Sequence, residues 1–495
     1  MREFTRRSAL FGAGGLAGWA LSGLFRPDLP VMTGTSRIAA PTGAKVLNDA
    51  SGLSATPVHK HLVLRDDADD QLIDAIRREL AEAKAEKRPL NVGAARHSMG
   101  GQAIPRQGAA ITFDNGGVEI DSAQGAYRAH AGARWSHVIA ALDPAGRSPM
   151  VMQSNNDFGV AATFSVNAHG WPVPFGPMGS TVRSLRMVLP SGDLVECAPD
   201  RNPELFNLAM GGYGLVGVIV DLEAESVKNA RLSPSFETMD ASGFAAAFRK
   251  AVEDPSVTMA YGRLNVERDG FFQKALLTTY RETDDQSELP AAASSGLMAH
   301  AASRIYRAQL GNEAFKSFRW WNETRVGTAL GSGDVTRNSL INEPVATLDD
   351  RNPDRTDILH EYFVAFDAFD DFLTACREII PASYQEFLNV TLRYVAQDDR
   401  SVLSYAPTPR IAAVMSFSQE LSARAEADMA RMTRALIDRV VEIGGAYYLP
   451  YRPHATLDQM SAAYVGSGDF ARAKRALDPQ LVLRNNLWDA YLGRL

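Results

Sequence analysis

Apolar residues recur at helical or strand spacing along most of the chain from residue 55 onward. In Asp69–Lys87 they repeat every three to four residues, which predicts an amphipathic helix. These residues are Leu72, Ile73, Ile76, Leu80 and Ala83. Short apolar runs at Leu90–Val92 and Ile111–Phe113 predict two strands with a glycine-rich loop between them. Helix, strand, loop and strand together predict a small α/β unit.

Turn residues divide the next stretch into further elements. Val182–Leu189 and Leu194–Cys197 flank Pro-Ser-Gly-Asp, which predicts a β-hairpin. Asn202-Pro203-Glu204 predicts a helix start with Asn202 as the cap, and this helix runs to about Met210. Gly212–Gly217 matches the dinucleotide-binding pattern GxGxxG, but a strand-like run follows where that motif needs a helix. The pattern therefore predicts a tight turn and no NAD site.

The second half of the chain alternates between predicted strands and helical segments. The strands are Met259–Val266, Lys274–Tyr280, His360–Phe366, Asn389–Val395 and Ile411–Phe417. Glu282–Ser295 is typical of a linker, and Gln419–Ile443 predicts a long helix that ends at a pair of glycines. This mixture predicts an α+β domain.

Composition restricts the function without defining it. The chain has 495 residues, of which 45% are hydrophobic, and a net charge of −7, so it has ample core material and no sign of a nucleic-acid surface. Its two cysteines, Cys197 and Cys376, exclude a disulfide framework, and buried free thiols are favoured over one disulfide. The absence of CxxC and HExxH patterns predicts no metal site.

The N-terminus carries an export pattern. Arg6 and Arg7 precede an uncharged run rich in Gly, Ala and Leu that ends at Leu24. This predicts a twin-arginine signal, a tether over Arg26–Ser54, and a periplasmic or extracytoplasmic location reached through the twin-arginine export machinery. The signal is either cleaved or kept as a membrane tether; a basic soluble N-terminus is the alternative.

The loop Val92–Gln102, here called the glycine-rich loop, is the strongest indication of chemistry. Its glycines and alanines leave backbone N–H groups uncovered, and Arg96 adds positive charge, so the loop is suited to a pyrophosphate. His97 is unusual there, because a phosphate-binding loop does not need an imidazole. A surface turn with a chance histidine is the alternative on this loop alone.

The glycine-rich loop resembles the pyrophosphate loop of FAD enzymes of the vanillyl-alcohol oxidase and p-cresol methylhydroxylase (PCMH) class. Residues Thr56–Glu225 are similar to the whole FAD domain of that class, through Gly159–Gly170, the predicted hairpin, Asn202–Phe206 and the Gly212–Glu223 turn and strand. The resemblance implies an α+β fold. It has a PCMH-type two-subdomain FAD-binding domain at 55–225 and a separate α+β substrate or cap domain at 226–443. A C-terminal segment at 444–495 returns to the flavin, and residues 1–40 are signal and tether.

The resemblance also implies the residues that hold FAD. They are Gly93, Ala94, Ala95, Arg96, His97, Ser98, Gly100, Gly101, Gln102, Gly159, Ala162, Thr163, Ser165, His169, Gly170, Gly217 and Ile219. In the sugar-oxidising branch (alditol oxidases, aldonolactone oxidases and decaprenylphosphoryl-ribose oxidase relatives) a Gly-x-x-His-Ser carries a histidine bonded to the flavin 8α-methyl. His97 is therefore expected to bind FAD covalently, with tight non-covalent binding as the alternative. His169 is expected to pack near the flavin as a structural residue.

The substrate residues follow from the same branch. Alditol oxidases pair Glu with Arg two residues on, and here Thr391 stands at the Glu position while Arg393 keeps the Arg. A carboxylate that would hold a polyol is therefore missing, and a polyol substrate is not implied. His454 falls near the lysine of the C-terminal segment and is expected to act as the base. A surface salt bridge for Arg393 and a hydrogen-bonding tail histidine are the alternatives.

Three further residues or pairs are of secondary interest. Tyr451 and Arg452 adjoin His454 in the chain and are additional candidates for the substrate site. Trp320-Trp321 would suit stacking on a sugar ring, but an aromatic core is favoured.

These expectations combine into one function. We expect an exported FAD-dependent oxidoreductase that oxidises a CH–OH group of a sugar, lactone or sugar-like molecule by hydride transfer to flavin N5. The electron acceptor is O2, or else a quinone or protein in a dehydrogenase. A non-catalytic exported binding protein with a flavin fold is the alternative of another class.

Overall fold

The computed structural model describes residues 38, 41, 45–293, 306–330, 333–344 and 352–495. The predicted twin-arginine signal lies outside the described residues. Among the helices of the described ranges, none has the length and apolar character needed to cross a membrane.

The first half of the chain forms two larger sheets and one two-stranded sheet. Its elements are β1 (Lys45–Leu47), β2 (Thr56–Val58), β3 (Lys60–Leu64), α1 (Asp70–Ala85), β4 (Leu90–Val92), β5 (Ala109–Phe113), β6 (Val118–Asp121), β7 (Ala126–His130), α2 (Trp135–Leu142), β8 (Arg147–Pro149), α3 (Val160–Ser165), β9 (Val182–Val188), β10 (Leu194–Cys197), α4 (Pro203–Ala209) and β11 (Val218–Lys228). A parallel sheet has the order β3-β5-β4, and an antiparallel sheet has the order β10-β9-β11-β7-β6.

Helix α1 joins the two sheets through its apolar face. Leu72, Ile76 and Leu80 are buried, and the helix contacts β4 in one sheet and β9 and β11 in the other. The side chain of Asp69 accepts a hydrogen bond from the backbone N–H of Gln71 and caps the helix. The helix predicted from apolar spacing is confirmed, and it holds two subdomains together.

The second half of the chain forms one antiparallel sheet against which several helices pack. Its elements are β12 (Arg231–Asp240), α5 (Phe244–Glu253), β13 (Val257–Leu264), β14 (Lys274–Glu282), α6 (Glu313–Trp321), α7 (Thr328–Leu330), β15 (Val335–Thr336), α8 (Arg337–Ile341), β16 (Arg355–Ala365), α9 (Phe369–Ile379), β17 (Glu386–Val395), β18 (Arg410–Glu420) and α10 (Ala423–Glu442). Helix α5 packs on β13 and β14, and α9 and α10 pack on the other end of the sheet. The α+β fold expected from the sequence is confirmed.

The C-terminal segment connects both halves. It contains β19 (Ala446–Tyr447), α11 (Leu457–Ala463), α12 (Ser467–Leu477) and α13 (Asn486–Ala490). Strand β19 completes the second sheet, whose order among the described strands is β15-β12-β14-β13-β17-β18-β16-β19. Further on, the backbone of Leu90 donates to the carbonyl of Val482 at 2.7 Å and accepts from Arg484 at 3.1 Å. The segment therefore runs from the second sheet to the strand that precedes the glycine-rich loop.

Two expectations on local structure were wrong. The tether does not extend to Ser54, because β1 pairs with β2 and the Asp49 carboxylate accepts from the backbone N–H of Gly101 at 2.8 Å. Asn202 does not cap α4, because it has a left-handed φ of 50° and its amide donates to the carbonyl of Glu196. Strand β12 was not predicted. The buried free thiols of both cysteines are confirmed.

Candidate active site

A cavity lies between the first half of the chain and the open face of the second sheet. One wall is the glycine-rich loop together with α3 and the turn that precedes β11. The opposite wall comes from β13, β16, β17 and β18, and the C-terminal segment adds Tyr448, Pro450 and Tyr451. Most of the predicted FAD residues line this cavity, but Gly100, Gly101 and Gly170 do not.

The glycine-rich loop exposes a run of hydrogen-bond donors. The backbone N–H groups of Ala94 through Ser98 have no acceptor within the described part of the chain, and all five residues line the cavity. The next two glycines differ, because Gly100 donates to the side chain of Gln102 and Gly101 donates to Asp49. The donors available to an anion therefore lie in the first part of the loop.

Gln102 fixes the loop to the C-terminal segment. Its amide nitrogen donates to the carbonyls of Leu449 at 2.6 Å and Tyr451 at 2.8 Å, and its amide oxygen accepts from Gly100. The side chain is buried, so its amide hydrogens and oxygen are satisfied by the protein. Gln102 therefore shapes the cavity, and its amide is not free to bind a ligand.

Arg96 places positive charge under the loop. Its Nη1 donates to Thr112 Oγ1 at 2.8 Å, while Nε and Nη2 are buried without a partner among the described residues. Burial lowers the pKa of this guanidinium, since charge is disfavoured away from water. Buried unpaired donors on a cation are costly, so this position suits an anionic group such as a pyrophosphate.

The glycine-rich loop and α3 approach each other closely at Gly159. A Cβ built there would lie 2.7 Å from the Cβ of Ala94, so the contact requires glycine. The Thr163 hydroxyl accepts from Trp135 Nε1 at 2.9 Å and donates to the carbonyl of Gly159 at 2.8 Å, which holds this helix in place. Gly170 serves packing instead, because a Cβ there would overlap the carbonyl oxygen of Met152.

His97 lies in the cavity wall with its ring against Phe158, at a centroid separation of 4.2 Å. Its Nε2 is 3.9 Å from the Asp157 carboxylate, which is an ion-pair distance and not a hydrogen bond. Burial lowers the pKa of His97 and outweighs the opposing effect of Asp157. The imidazole is therefore held neutral, which is the form able to bond to carbon.

Strand alternation builds the opposite wall. Side chains two residues apart share a face of a sheet, and the open face carries Leu359 and Glu361 on β16, with Thr391 and Arg393 on β17. Register places four residues side by side across the strands in what we call the cross-strand row, namely Glu361, Val414, Thr391 and Arg263.

Both arginines of this wall have specific partners. Arg263 donates to Glu323 Oε1 and to Thr391 Oγ1, each at 2.9 Å, so its charge is neutralised within the wall. Arg393 donates to Ser154 Oγ at 2.9 Å, its Nε is buried without a partner, and it forms no salt bridge within the described residues. The alternative of a surface salt bridge for Arg393 is therefore wrong.

Glu361 is the site residue that sequence reasoning missed. It is 3% exposed, it lines the cavity, and one of its carboxylate oxygens accepts from His169 Nε2. The other oxygen accepts from the Tyr451 hydroxyl at 3.3 Å. His169 itself is 2% exposed, in keeping with a packed residue at the cavity. The alternating side-chain directions of the strand that contains His360 and Glu361 could have indicated Glu361. Which face of this strand points to the cavity was not predicted.

His454 does not reach the cavity, and its expected role as the base is corrected. Its Nε2 lies 2.8 Å from Glu426 Oε1 and its Nδ1 lies 3.2 Å from Thr433 Oγ1. Arg452 also binds Glu426 and stays outside the cavity, whereas Tyr451 lines it. The expected aromatic core at Trp320-Trp321 is wrong for Trp321, which is 53% exposed and stacks on Phe318.

Comparison with known proteins identifies the first half of this site. Residues 71–198 match the family model described as FAD binding domain. Over these residues the chain is similar to FAD-binding domains. The glycine-rich loop, α3 and the predicted hairpin all fall within the match. This match supports FAD as the cofactor, and together with the lactone dehydrogenase and lactone oxidase relatives described next it confirms the resemblance to the PCMH-type flavoprotein class and its sugar-oxidising branch.

Several oxidoreductases are similar to part of the chain. An uncharacterized oxidoreductase of the fasciation locus of Rhodococcoides fascians is 30% identical over 40% of this chain and 48% of its own length. L-galactono-1,4-lactone dehydrogenase 2 of Oryza sativa is 28% identical over 38% of this chain and 32% of its own length. D-arabinono-1,4-lactone oxidase of Yarrowia lipolytica is 30% identical over 22% of each. The chain therefore covers less than half the length of each of these relatives.

The residues of the FAD-binding domain fit the cofactor. Five unpaired backbone donors and the unpaired nitrogens of Arg96 lie together at the loop, as a pyrophosphate requires. The bare Cα of Gly159 permits the loop to close on α3. The remaining cavity extends past His97 to the second sheet, where a ring system and a substrate would meet.

Proposed function

We propose that this protein is an exported FAD-dependent oxidoreductase that oxidises a CH–OH group of a sugar lactone or a related sugar-like molecule. The observation that carries the proposal is the shared cavity, in which the FAD-binding loop faces the cross-strand row and Arg393. The similarity to a lactone dehydrogenase and a lactone oxidase supports the substrate class. When bound, FAD would supply the acceptor for a hydride, which carries two electrons and one proton, at N5.

Each group of residues has a separate task in this proposal. Arg96 and the loop N–H groups hold the pyrophosphate. Arg393 offers a fixed positive charge in a site with little water, where negative charge that develops during the reaction is stabilised most strongly. Polar side chains of the open sheet face, such as Asn389 and Thr391, hydrogen-bond the hydroxyl groups of the substrate.

We also propose that His97 bonds covalently to the flavin. The support is its position in the loop wall and its neutral imidazole. A band of the denatured protein on a gel, soaked in acid, should show flavin fluorescence, and the band of His97→Ala should not. A yellow parent protein that gives a dark band would mean tight non-covalent binding and would overturn this part of the proposal alone.

Anaerobic reduction tests the activity. The purified yellow protein is mixed without oxygen with L-galactono-1,4-lactone, D-arabinono-1,4-lactone, an alditol and a simple secondary alcohol in turn. Bleaching of the visible flavin absorbance by a lactone is the expected result, and Arg393→Met should slow it by about 10²-fold or more. A protein that binds FAD and is bleached by none of these compounds would contradict the proposal.

Export and the electron acceptor need their own measurements. The twin-arginine pair predicts that Arg6→Lys with Arg7→Lys leaves the protein in the cytoplasm, as cell fractionation would detect. Reoxidation of the reduced protein by air or by a soluble quinone distinguishes an oxidase from a dehydrogenase. Export of the double variant at the level of the parent would refute the prediction of a twin-arginine signal.

A further inference from the structure

The carboxylate that is missing at Thr391 is present elsewhere on the same wall. Glu361 and Thr391 belong to the cross-strand row, separated only by Val414 on β18. Neighbouring strands lie about 4.8 Å apart, so two strand spacings place the backbone of Glu361 about 10 Å across the sheet from the backbone of Thr391. The side chain projects from the same open face into the same cavity.

The surroundings of Glu361 hold its carboxylate in place. His169 Nε2 hydrogen-bonds one oxygen, and the Tyr451 hydroxyl approaches the other at 3.3 Å. His169 belongs to the wall formed by residues 71–198, and Glu361 belongs to the opposite sheet. The hydrogen bond between them therefore joins the two walls of the cavity. The carboxylate that His169 fixes has further lone pairs, which face the cavity and can accept a proton.

We propose that Glu361 is the proton acceptor for the substrate hydroxyl and that His169 positions it. This inference rests on the proposed function. In the oxidation the O–H bond breaks and its proton passes to a Glu361 oxygen, the C–H electron pair leaves as hydride to FAD, and a C=O bond forms. One carboxylate becomes a carboxylic acid, which later returns its proton to solvent.

The position of His454 explains why the base is Glu361. Among the described residues, Glu361 pairs with His169 and Glu426 pairs with His454 within hydrogen-bond distance. Of these two pairs, the first lines the cavity and the second does not, with its Glu426 on α10. Glu426 is therefore a matched control, because it has the same chemistry without access to the substrate.

The first test compares Glu361→Gln with Glu426→Gln in the full-length, FAD-loaded protein. Glu361→Gln keeps the size and most hydrogen bonds of the side chain but removes the base. We expect an unchanged flavin content and a loss in kcat/KM of about 10²- to 10⁴-fold. Glu426→Gln should stay within about threefold of the parent. A kcat/KM for Glu361→Gln within threefold of the parent would overturn the inference.

A second readout does not depend on turnover. The oxidised product has a carbonyl oxygen, which accepts a hydrogen bond from protonated Glu361. Product binding can be monitored through the change that it causes in the flavin spectrum. The affinity for the product should increase as the pH falls in the parent and should be independent of pH in Glu361→Gln. The same pH dependence in both proteins would overturn the inference. The titratable and charged groups that face Glu361 are His169, Tyr213, Tyr405, Tyr448, Tyr451, Tyr464 and Arg393.

The two proposals fail in different ways. A parent protein that no CH–OH compound bleaches refutes the proposed function and the role of Glu361 with it. A parent that is bleached, together with an equally active Glu361→Gln, refutes only the role of Glu361. An inactive His169→Asn that retains the normal pH dependence of product binding would show that His169 does not act through Glu361.

Discussion

The contact between Gly159 and Ala94 predicts the effect of a single methyl group on FAD binding. In Gly159→Ala the new Cβ would lie 2.7 Å from the Cβ of Ala94. Carbon atoms prefer a separation of about 3.5–4.0 Å, so the glycine-rich loop and α3 must move apart by about 1 Å. Such overpacking costs about 1–3 kcal/mol of stability. The moved segment also carries the N–H groups of Ala94 through Ser98, which have no acceptor in the described part of the chain and which we propose hold the pyrophosphate.

The loss in FAD affinity follows from those donors. A hydrogen bond to a charged group contributes about 1.5–3 kcal/mol, so misplacing one donor should weaken FAD binding by about 10- to 100-fold. The assay is quenching of flavin fluorescence on titration of the apoprotein, in a His97→Ala background so that FAD is free to exchange.

Gly243→Ala is the matched control, because Gly243 also precedes a helix and has no atom within 4 Å of a built Cβ. Equal stability losses in Gly159→Ala and Gly243→Ala, with unchanged FAD affinity in both, would refute the reasoning.

Three further predictions concern charge, pH and the surface. Arg96→Gln should weaken FAD binding about tenfold or more in a fluorescence titration, because the pyrophosphate would lose the two buried guanidinium donors of Arg96. Arg88→Gln, at an exposed arginine, should leave FAD binding unchanged. Burial lowers the pKa of His360 to about 3, with a smaller contribution from His454. Below about pH 6.5 the unfolded chain therefore binds a proton at His360 that the folded chain does not bind. The free energy of unfolding should then decrease as the pH falls, until about pH 3. Urea unfolding should show that His360→Gln reduces this slope by up to about 1.4 kcal/mol per pH unit; equal slopes would contradict it. Trp321→Ser should change the free energy of unfolding by less than about 0.5 kcal/mol, and a larger loss would mean that this exposed ring is packed in solution.

Patterns that depend on neighbouring residues could be predicted from the sequence. The apolar spacing of Asp69–Lys87 and the Pro-Ser-Gly-Asp turn gave α1 and the β9–β10 hairpin, because each forms from local backbone preferences. The strand after Gly217 excluded an NAD site for the same reason. Strand β12 escaped because most of its side chains are partly or fully exposed and it contains Pro234, so no apolar alternation marks it.

Features that depend on tertiary register could not be predicted. Thr391 indicated that a carboxylate is missing, but its proximity to Glu361 follows from the pairing of β16, β18 and β17, which is not visible along the chain. His454 follows Tyr451 by three residues, yet the chain turns between them so that Tyr451 faces the cavity and His454 faces Glu426. Likewise, Gly100 and Gly101 match the phosphate-binding pattern, but Gln102 and Asp49 occupy their N–H groups.

The most direct test of the account is an experimental structure of the FAD-loaded protein with an unreactive lactone. We expect the pyrophosphate to contact Arg96 and the N–H groups of Ala94 through Ser98. We expect the lactone to lie beside Arg393, between the flavin ring and the cross-strand row that contains Glu361. A lactone that binds outside this cavity, or a flavin ring that does not face the second sheet, would contradict the central claim.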